Sequence, residues 1–376
     1  MFDELTLDGL RGTGRVELKF QPGSRVRTLF GANGVGKTKC LEAIYQALVM
    51  TNKQACASES RLLIPARCFL AENMAFSPKN IPPLPAALKA GGDWLEAQPL
   101  HSMPVLFIGA QARASMNAVD HENPAALGSF EKRQLAYFEK IANFLRQENL
   151  LTLHMDGNVQ QWLVRRAQTV NPYQKAQDNF KHEIHAVLRM LHAFDDSIDA
   201  ETMQIDASER VHLKIGNQFR ALDELSSGFA SLVKLIQAIV AGYAHFINTP
   251  NLHEVSGIVL IDEIESHLHA SWQARIIPTL KRLLPNTIFY VATHSPIVLS
   301  QLEEGEAYLL RRDADGVVRS SMIDSPDRRA FADVLDDALN VNLNVLKRHR
   351  MENSDQHHAK RQLLKLMQQP HSGVDS

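Results

Sequence analysis

The sequence predicts an α/β fold: a mixed sheet with an inserted α-helical subdomain and a helical C-terminal tail. Three observations predict it. A glycine-rich loop, Gly31-Ala32-Asn33-Gly34-Val35-Gly36-Lys37-Thr38, stands between a strand-like run and a helix-like run. A continuous apolar run ends in Asp262 and Glu263, as a buried parallel strand does when it delivers carboxylates to its C-terminal edge. Between the two, residues 125–195 or so are dominated by helical periodicity, as in SFEKRQLAYFEKIANFLRQ and NFKHEIHAVLRMLHAF.

In chain order, residues 2–10, 15–20 and 26–30 alternate as strands, with Pro22-Gly23 turning the chain between the last two. After Thr38, the residues Cys40, Leu41, Ile44, Ala47 and Leu48 recur at helical spacing. Residues 77–104, rich in proline and glycine, read as an irregular excursion, and residues 105–109 as a buried strand. The helices that follow are too short for coiled-coil arms, which need sustained heptads, so a compact lever is expected. Strand character returns at 201–205 and 210–215, before a loop and buried helix beginning LDELSSGFASLVKL. The Asp262-bearing strand is followed by a helix over 271–284, a buried strand over 287–292, and a hairpin over 306–322 turning at Asp313-Ala314-Asp315-Gly316. The tail from Arg328 reads as helical and mixed in charge.

The 376 residues exceed the usual size of a single core. Hydrophobic residues at 45% and charged residues at 22% exclude a disordered or fibrous class. A formal charge of -2 supplies no global basic field, so any contact with DNA must be a local patch. Lys347, Arg348, His349 and Arg350 form one short basic run, read first as a solvated helix face. Cys40, Cys56 and Cys68 fall in no metal spacing, which suits a reducing cytosol. No signal peptide is evident, and the most apolar segment, around 235–247, reads as short and is interrupted by His245; a cytoplasmic protein with no membrane partner is expected.

The glycine-rich loop satisfies GxxxxGK[ST]. Its glycines Gly31, Gly34 and Gly36, with Asn33 and Val35, let successive backbone N–H groups turn around phosphate, and the following helix N-terminus adds its dipole. Lys37 is expected to reach the β and γ phosphates of ATP, and Thr38 to offer its hydroxyl to Mg²⁺. Asp262 is placed to hold that ion, and Glu263 to activate the attacking water; the bland reading is a buried strand capped by two solvated acids. Ser226, Ser227 and Gly228 precede a helix and form a second anion site, or an ordinary helix cap.

Taken in sequence, LSSG, LIDEIESHLH and THSP resemble the ABC-type AAA ATPases related to RecF, Rad50 and the OLD proteins, over residues 1–50 and 200–300. Within that group, DEIESHLHASWQ followed by IIPTLKRLLPNTIFYVATHSPIVLSQL is similar to the stand-alone ATPases of Septu-type and retron-linked anti-phage systems. The resemblance implies a P-loop NTPase fold of the ABC/SMC-like head type. Residues 1–111 and 201–325 would form its two halves, 112–200 the helical insertion and 326–376 the tail. It further implies that His294 senses the γ phosphate and that Ser227 and Gly228 serve the ATP of a partner copy. Gln111, after the 105–109 strand, is the Q-loop candidate. His267 and His269 beside Glu265 suggest either a metal site or, as preferred here, a D-loop packing across a dimer. Two positions depart from the pattern: Phe229 stands where relatives often have Glu, and Ile264 where many have Pro.

The function expected is an ATP-hydrolysing dimerisation switch, working as a homodimer or higher oligomer of dimers. It would regulate a separate nuclease effector, of HNH type as a first guess, in defence against phage. A RecF-like repair ATPase that clamps DNA is the alternative, and an ABC transporter's ATPase subunit a third.

Overall fold

The computed structural model of the chain describes residues 2–57, 70–78, 88–89, 101–114, 127–155, 157–175, 178–247 and 251–327. The expected helical tail, its basic run, Cys68 and most of the proline-rich excursion lie outside the described residues.

Strands β1 (Phe2–Leu10), β2 (Gly14–Lys19) and β3 (Val26–Phe30) lead to helix α1 (Lys37–Met50) and the short α2 (Lys53–Ala57). Next come β4 (Asn73–Pro78), β5 (Leu88–Lys89) and β6 (Val105–Ile108). Helices α3 (Phe130–Gln147), α4 (Val159–Gln168) and α5 (Lys181–Phe194) form the insertion. Strands β7 (Ile198–Ile205), β8 (Val211–Ile215) and β9 (Gln218–Ala221) precede α6 (Ser227–Tyr243) and β10 (Gly257–Ile261). Helices α7 (Ala270–Gln273) and α8 (Ile276–Leu283), strand β11 (Thr287–Ala292), α9 (Pro296–Leu299), β12 (Ala307–Arg312) and β13 (Val318–Met322) complete the described chain.

The main sheet runs β5-β4-β1-β2-β13-β12-β3-β11-β10-β6. Its strands from β12 to β6 run parallel to one another, while β12 pairs antiparallel with β13 on its other side. Strands β3, β6 and β10 read VRTLF, VLFI and GIVLI and are buried at every position, as strands covered on both faces must be. The other half opens into a mostly antiparallel wing, β1 pairing with β2 and β4. Helix α1 packs on β6 and β11, and α6 on β6. A separate antiparallel sheet, β7-β8-β9, packs through β7 on α5.

Three local outcomes differ from the sequence reading. Strands β4 and β5 form inside or beside the excursion read as irregular, because β4 finds its partner in β1, some seventy positions earlier. Strand β9 was not anticipated, and β7 begins at Ile198. The helix expected over 271–284 is broken into α7 and α8. Pro278 explains the break: with no N–H it cannot donate to Ala274, and its ring opposes a helical carbonyl there.

Helix α6 is tied at its start to the turn after β10 and at its end to the first residue of β11. At its start, Ser231 Oγ donates to the Ser266 carbonyl at 3.0 Å, and Phe229 meets Trp272 edge-on at 5.8 Å. At its end, the Tyr243 hydroxyl bonds Thr287 Oγ1 at 2.6 Å, and the Tyr243 ring fills the space a side chain at Gly257 would need. Ser227–Ala244 is long and apolar enough to cross a membrane, a longer apolar stretch than the sequence reading allowed, but it is largely buried within the fold.

Candidate active site

Strand β11 lies between β3 and β10, so the C-terminal ends of three adjacent parallel strands bring together the loop after β3, the acids after β10 and Thr293-His294 after β11. This is the edge at which open α/β sheets collect ligands.

The loop after β3 depends on backbone that L side chains resist. Gly31, Gly34 and Gly36 have φ of 148°, 77° and 109°. A Cβ on Gly31 would stand 2.7 Å from the Leu310 carbonyl, and one on Gly36 2.7 Å from the Thr13 methyl, so the loop is pressed between β12 and the β1–β2 turn. Asn33 is exposed and Val35 is buried. Lys37, 6% exposed, donates to the carbonyls of Gly31 at 2.8 Å and Ala32 at 3.0 Å, which bends its ammonium back over the loop. Burial pushes its pKa down to about 8, against the pull of Asp262, Glu265 and Glu263.

Thr38 Oγ1 lies 3.0 Å from both carboxylate oxygens of Asp262. Asp262 is 2% exposed, and burial raises its pKa to about 6 despite the Thr38 hydrogen bond. A hydroxyl and a buried carboxylate side by side are hard oxygen donors. Together with phosphate and water they suit Mg²⁺, which takes few protein ligands. The residues therefore fit that ion. Among the described residues no group of three or more His, Cys, Asp or Glu side chains could hold a metal alone, which leaves the metal alternative for His267, His269 and Glu265 without support.

Glu263 projects from the same strand end and is exposed, with φ of 45°, a left-handed conformation uncommon for a residue with a side chain. Its neighbour Glu265 accepts hydrogen bonds from Thr293 Oγ1 at 2.7 Å and from the His294 N–H at 2.6 Å, tying the turn after β10 to the end of β11. Burial, and then the Lys37 charge, holds the half-buried His294 imidazole below its usual range.

The helix start at Ser226 is capped in the ordinary way, its hydroxyl accepting from the Phe229 N–H at 3.3 Å. Ser227 is exposed, and a Cβ on Gly228 would stand 2.8 Å from the His267 carbonyl. The two departures from the family pattern act as apolar anchors. Phe229 holds Trp272, and Ile264, fully buried, donates its N–H to the Ala292 carbonyl at 3.2 Å.

Gln111 stands exposed in the turn after β6, its N–H donating to the Leu151 carbonyl at 3.0 Å. Two residues on is a group the sequence reading passed over. Arg113, 1% exposed, donates to the carbonyls of Gly109 at 2.9 Å and Glu263 at 2.7 Å, and also to that of Asp262. Its guanidinium brackets the backbone of both acids from below, and burial lowers its pKa to about 10. The only signal in the sequence was an arginine just past an apolar strand, which is ordinary surface composition.

Compared with known protein families, residues 125–300 match the model described as "AAA domain, putative AbiEii toxin, Type IV TA system". The chain resembles the ABC-type AAA ATPases. Among the proteins it is similar to, the Septu protein PtuA of Bacillus mycoides (strain KBAB4) is 26% identical over 75% of this chain and 36% of its own length. The retron Ec83 probable ATPase of Escherichia coli is 42% identical over 21% of this chain and 15% of its own. The retron Vc95 probable ATPase of Vibrio cholerae serotype O1 biovar El Tor is 37% identical over 26% and 20%. The matched segments thus span about a third or less of these relatives. The fold is of the P-loop, ABC/SMC-like head type, with the strand leading into the glycine-rich loop, the acid-bearing strand and the strand before His294 parallel in one sheet.

Proposed function

We propose that this chain binds and hydrolyses ATP as a dimerisation switch, and that it regulates a separate nuclease effector in defence against phage. The observation that carries the reading is the Thr38–Asp262 contact, which joins side chains 224 positions apart at the mouth of the phosphate loop. Mg²⁺, when bound, supplies Lewis-acid charge to the phosphates. Lys37 would bind the β and γ phosphates, Thr38 and Asp262 would hold the ion, and Glu263 would orient a water and take its proton. His294 donates toward the γ phosphate. Ser227 and Gly228 begin an exposed helix end, an arrangement suited to the phosphates of a second copy's ATP. The defence role rests on the similarity to Septu and retron proteins.

The test is the mass of Glu263→Gln protein with and without ATP and Mg²⁺, a change that keeps nucleotide binding while blocking water activation. ATP-dependent growth to a dimer or larger assembly is expected. An unchanged mass, together with wild-type turnover indifferent to Ser227→Ala, overturns the shared site.

A further inference from the structure

A cavity of about 470 Å³ lies among α3, α4 and the C-terminal half of α6, a volume typical of small-molecule sites. Lys132, Arg133 and Lys140 reach it from α3, and Arg165 and Arg166 from α4. No carboxylate lines it among the described residues. Glu183, which pairs with Arg166 at 2.7 Å, sits behind that guanidinium, and Arg166 also lies 4.1 Å from the Trp162 ring centre. These contacts hold the cation in place.

Three buried polar atoms on the lining residues, Trp162 Nε1, Arg165 Nε and His245 Nδ1, have no hydrogen-bond partner. Two of them are N–H donors, and a buried donor without an acceptor costs on the order of 1–3 kcal/mol. A wall of cations and unmatched donors calls for a ligand that only accepts and carries several negative charges. Beside the polar Tyr137, His154, Gln237 and His245, the lining has an apolar part made by Leu127, Ala136, Ala238 and Ala241 with the Trp162 ring, which suits a flat ring system.

We propose that this cavity is a second ligand site that takes a small phosphorylated molecule bearing a ring, of the nucleotide class, separate from Lys37 and Asp262. The phosphates would lie against Lys132, Lys140 and Arg165, and the ring against the apolar surface from α6. Ala241 lies thirteen residues along α6 from Gly228, about 20 Å at helical rise, so the ligand would rest on the far end of the helix whose start carries Ser227 and Gly228. The proposal is independent of whether the phosphate loop hydrolyses ATP.

The experiment is titration calorimetry of the full chain carrying Lys37→Ala with adenosine 3′,5′-bisphosphate, whose separate monophosphates lack the contiguous chain a phosphate loop cradles. Saturable binding of one molecule per chain is expected. Affinity should fall roughly tenfold in Lys132→Glu and again in Arg165→Gln, since each removes a charge-assisted contact. Lys132 is exposed, so its reversal serves even if Arg165→Gln fails to fold. Absence of saturable binding overturns the proposal, as does binding that neither cavity substitution weakens. Binding only of a single-stranded oligonucleotide, with steep salt dependence, also overturns it and makes the cavity part of a nucleic-acid track.

Discussion

Gly228 lies against His267 so closely that a Cβ there would stand 2.8 Å from the His267 carbonyl oxygen. The first turn of α6 is thereby seated on the turn that follows Asp262 and Glu263. Gly228→Ala should force the two apart, lowering stability by about 1–3 kcal/mol as overpacking does. ATP turnover should fall further than Ser227→Ala reduces it, since Ser227 is exposed. Denaturant unfolding beside phosphate release checks both, and an unchanged midpoint in Gly228→Ala would refute the close seating.

The buried Asp262 gives a pH signature. Its pKa is raised from 3.8 to about 6, so the carboxyl is favoured neutral in the folded chain. That contribution is complete below pH 3.8 and is lost as pH rises through about 6. Without nucleotide or metal, Asp262→Asn should match the parent near pH 4 and exceed its stability at pH 8, by roughly 3 kcal/mol for a shift of that size. Mg²⁺-dependent ATP binding should be lost in the same variant. Unfolding at pH 4, 6 and 8 provides the comparison, and a gap that does not grow with pH would count against the burial argument.

Arg113 should prove a positioning residue. Arg113→Lys keeps a charge but loses the planar fork that reaches the carbonyls of Gly109, Asp262 and Glu263 together. Displacing Glu263 by about an ångström should lower kcat by roughly 100-fold with KM little changed. A purely structural arginine would instead lower the amount of folded protein and leave kcat per folded molecule intact.

Glu265 is predicted to act through His294. In Glu265→Gln one oxygen must become an amide, so the carboxylate can no longer accept from both Thr293 Oγ1 and the His294 N–H as charged partners. ATP affinity should be retained while turnover drops about tenfold, the equivalent of one charge-assisted bond. Equilibrium nucleotide binding set beside single-turnover rates separates the two.

Much of the fold was legible because its strongest signals are local. The runs at β3, β6 and β10 are apolar throughout, and their order along the chain places the phosphate loop, the acids and His294 at one sheet edge. Strand β4 was not legible, since its pairing with β1 is a distant contact that no window around 73–78 contains. The break between α7 and α8 could have been read from Pro278. Gly228 was read as a phosphate-facing or capping residue, and its closeness to His267 depends on a turn forty positions away. Arg113 escaped for the same reason: its acceptors are backbone carbonyls, which leave no trace in side-chain chemistry.

Through Ser231 and Ser266 at one end and Tyr243 and Thr287 at the other, α6 is hydrogen-bonded to the turn after β10 and to the start of β11. In kinematic terms the helix start and the two acids are a single link. A rearrangement that carries Ser227 toward another molecule while leaving Asp262 and Glu263 in place would have to break these contacts.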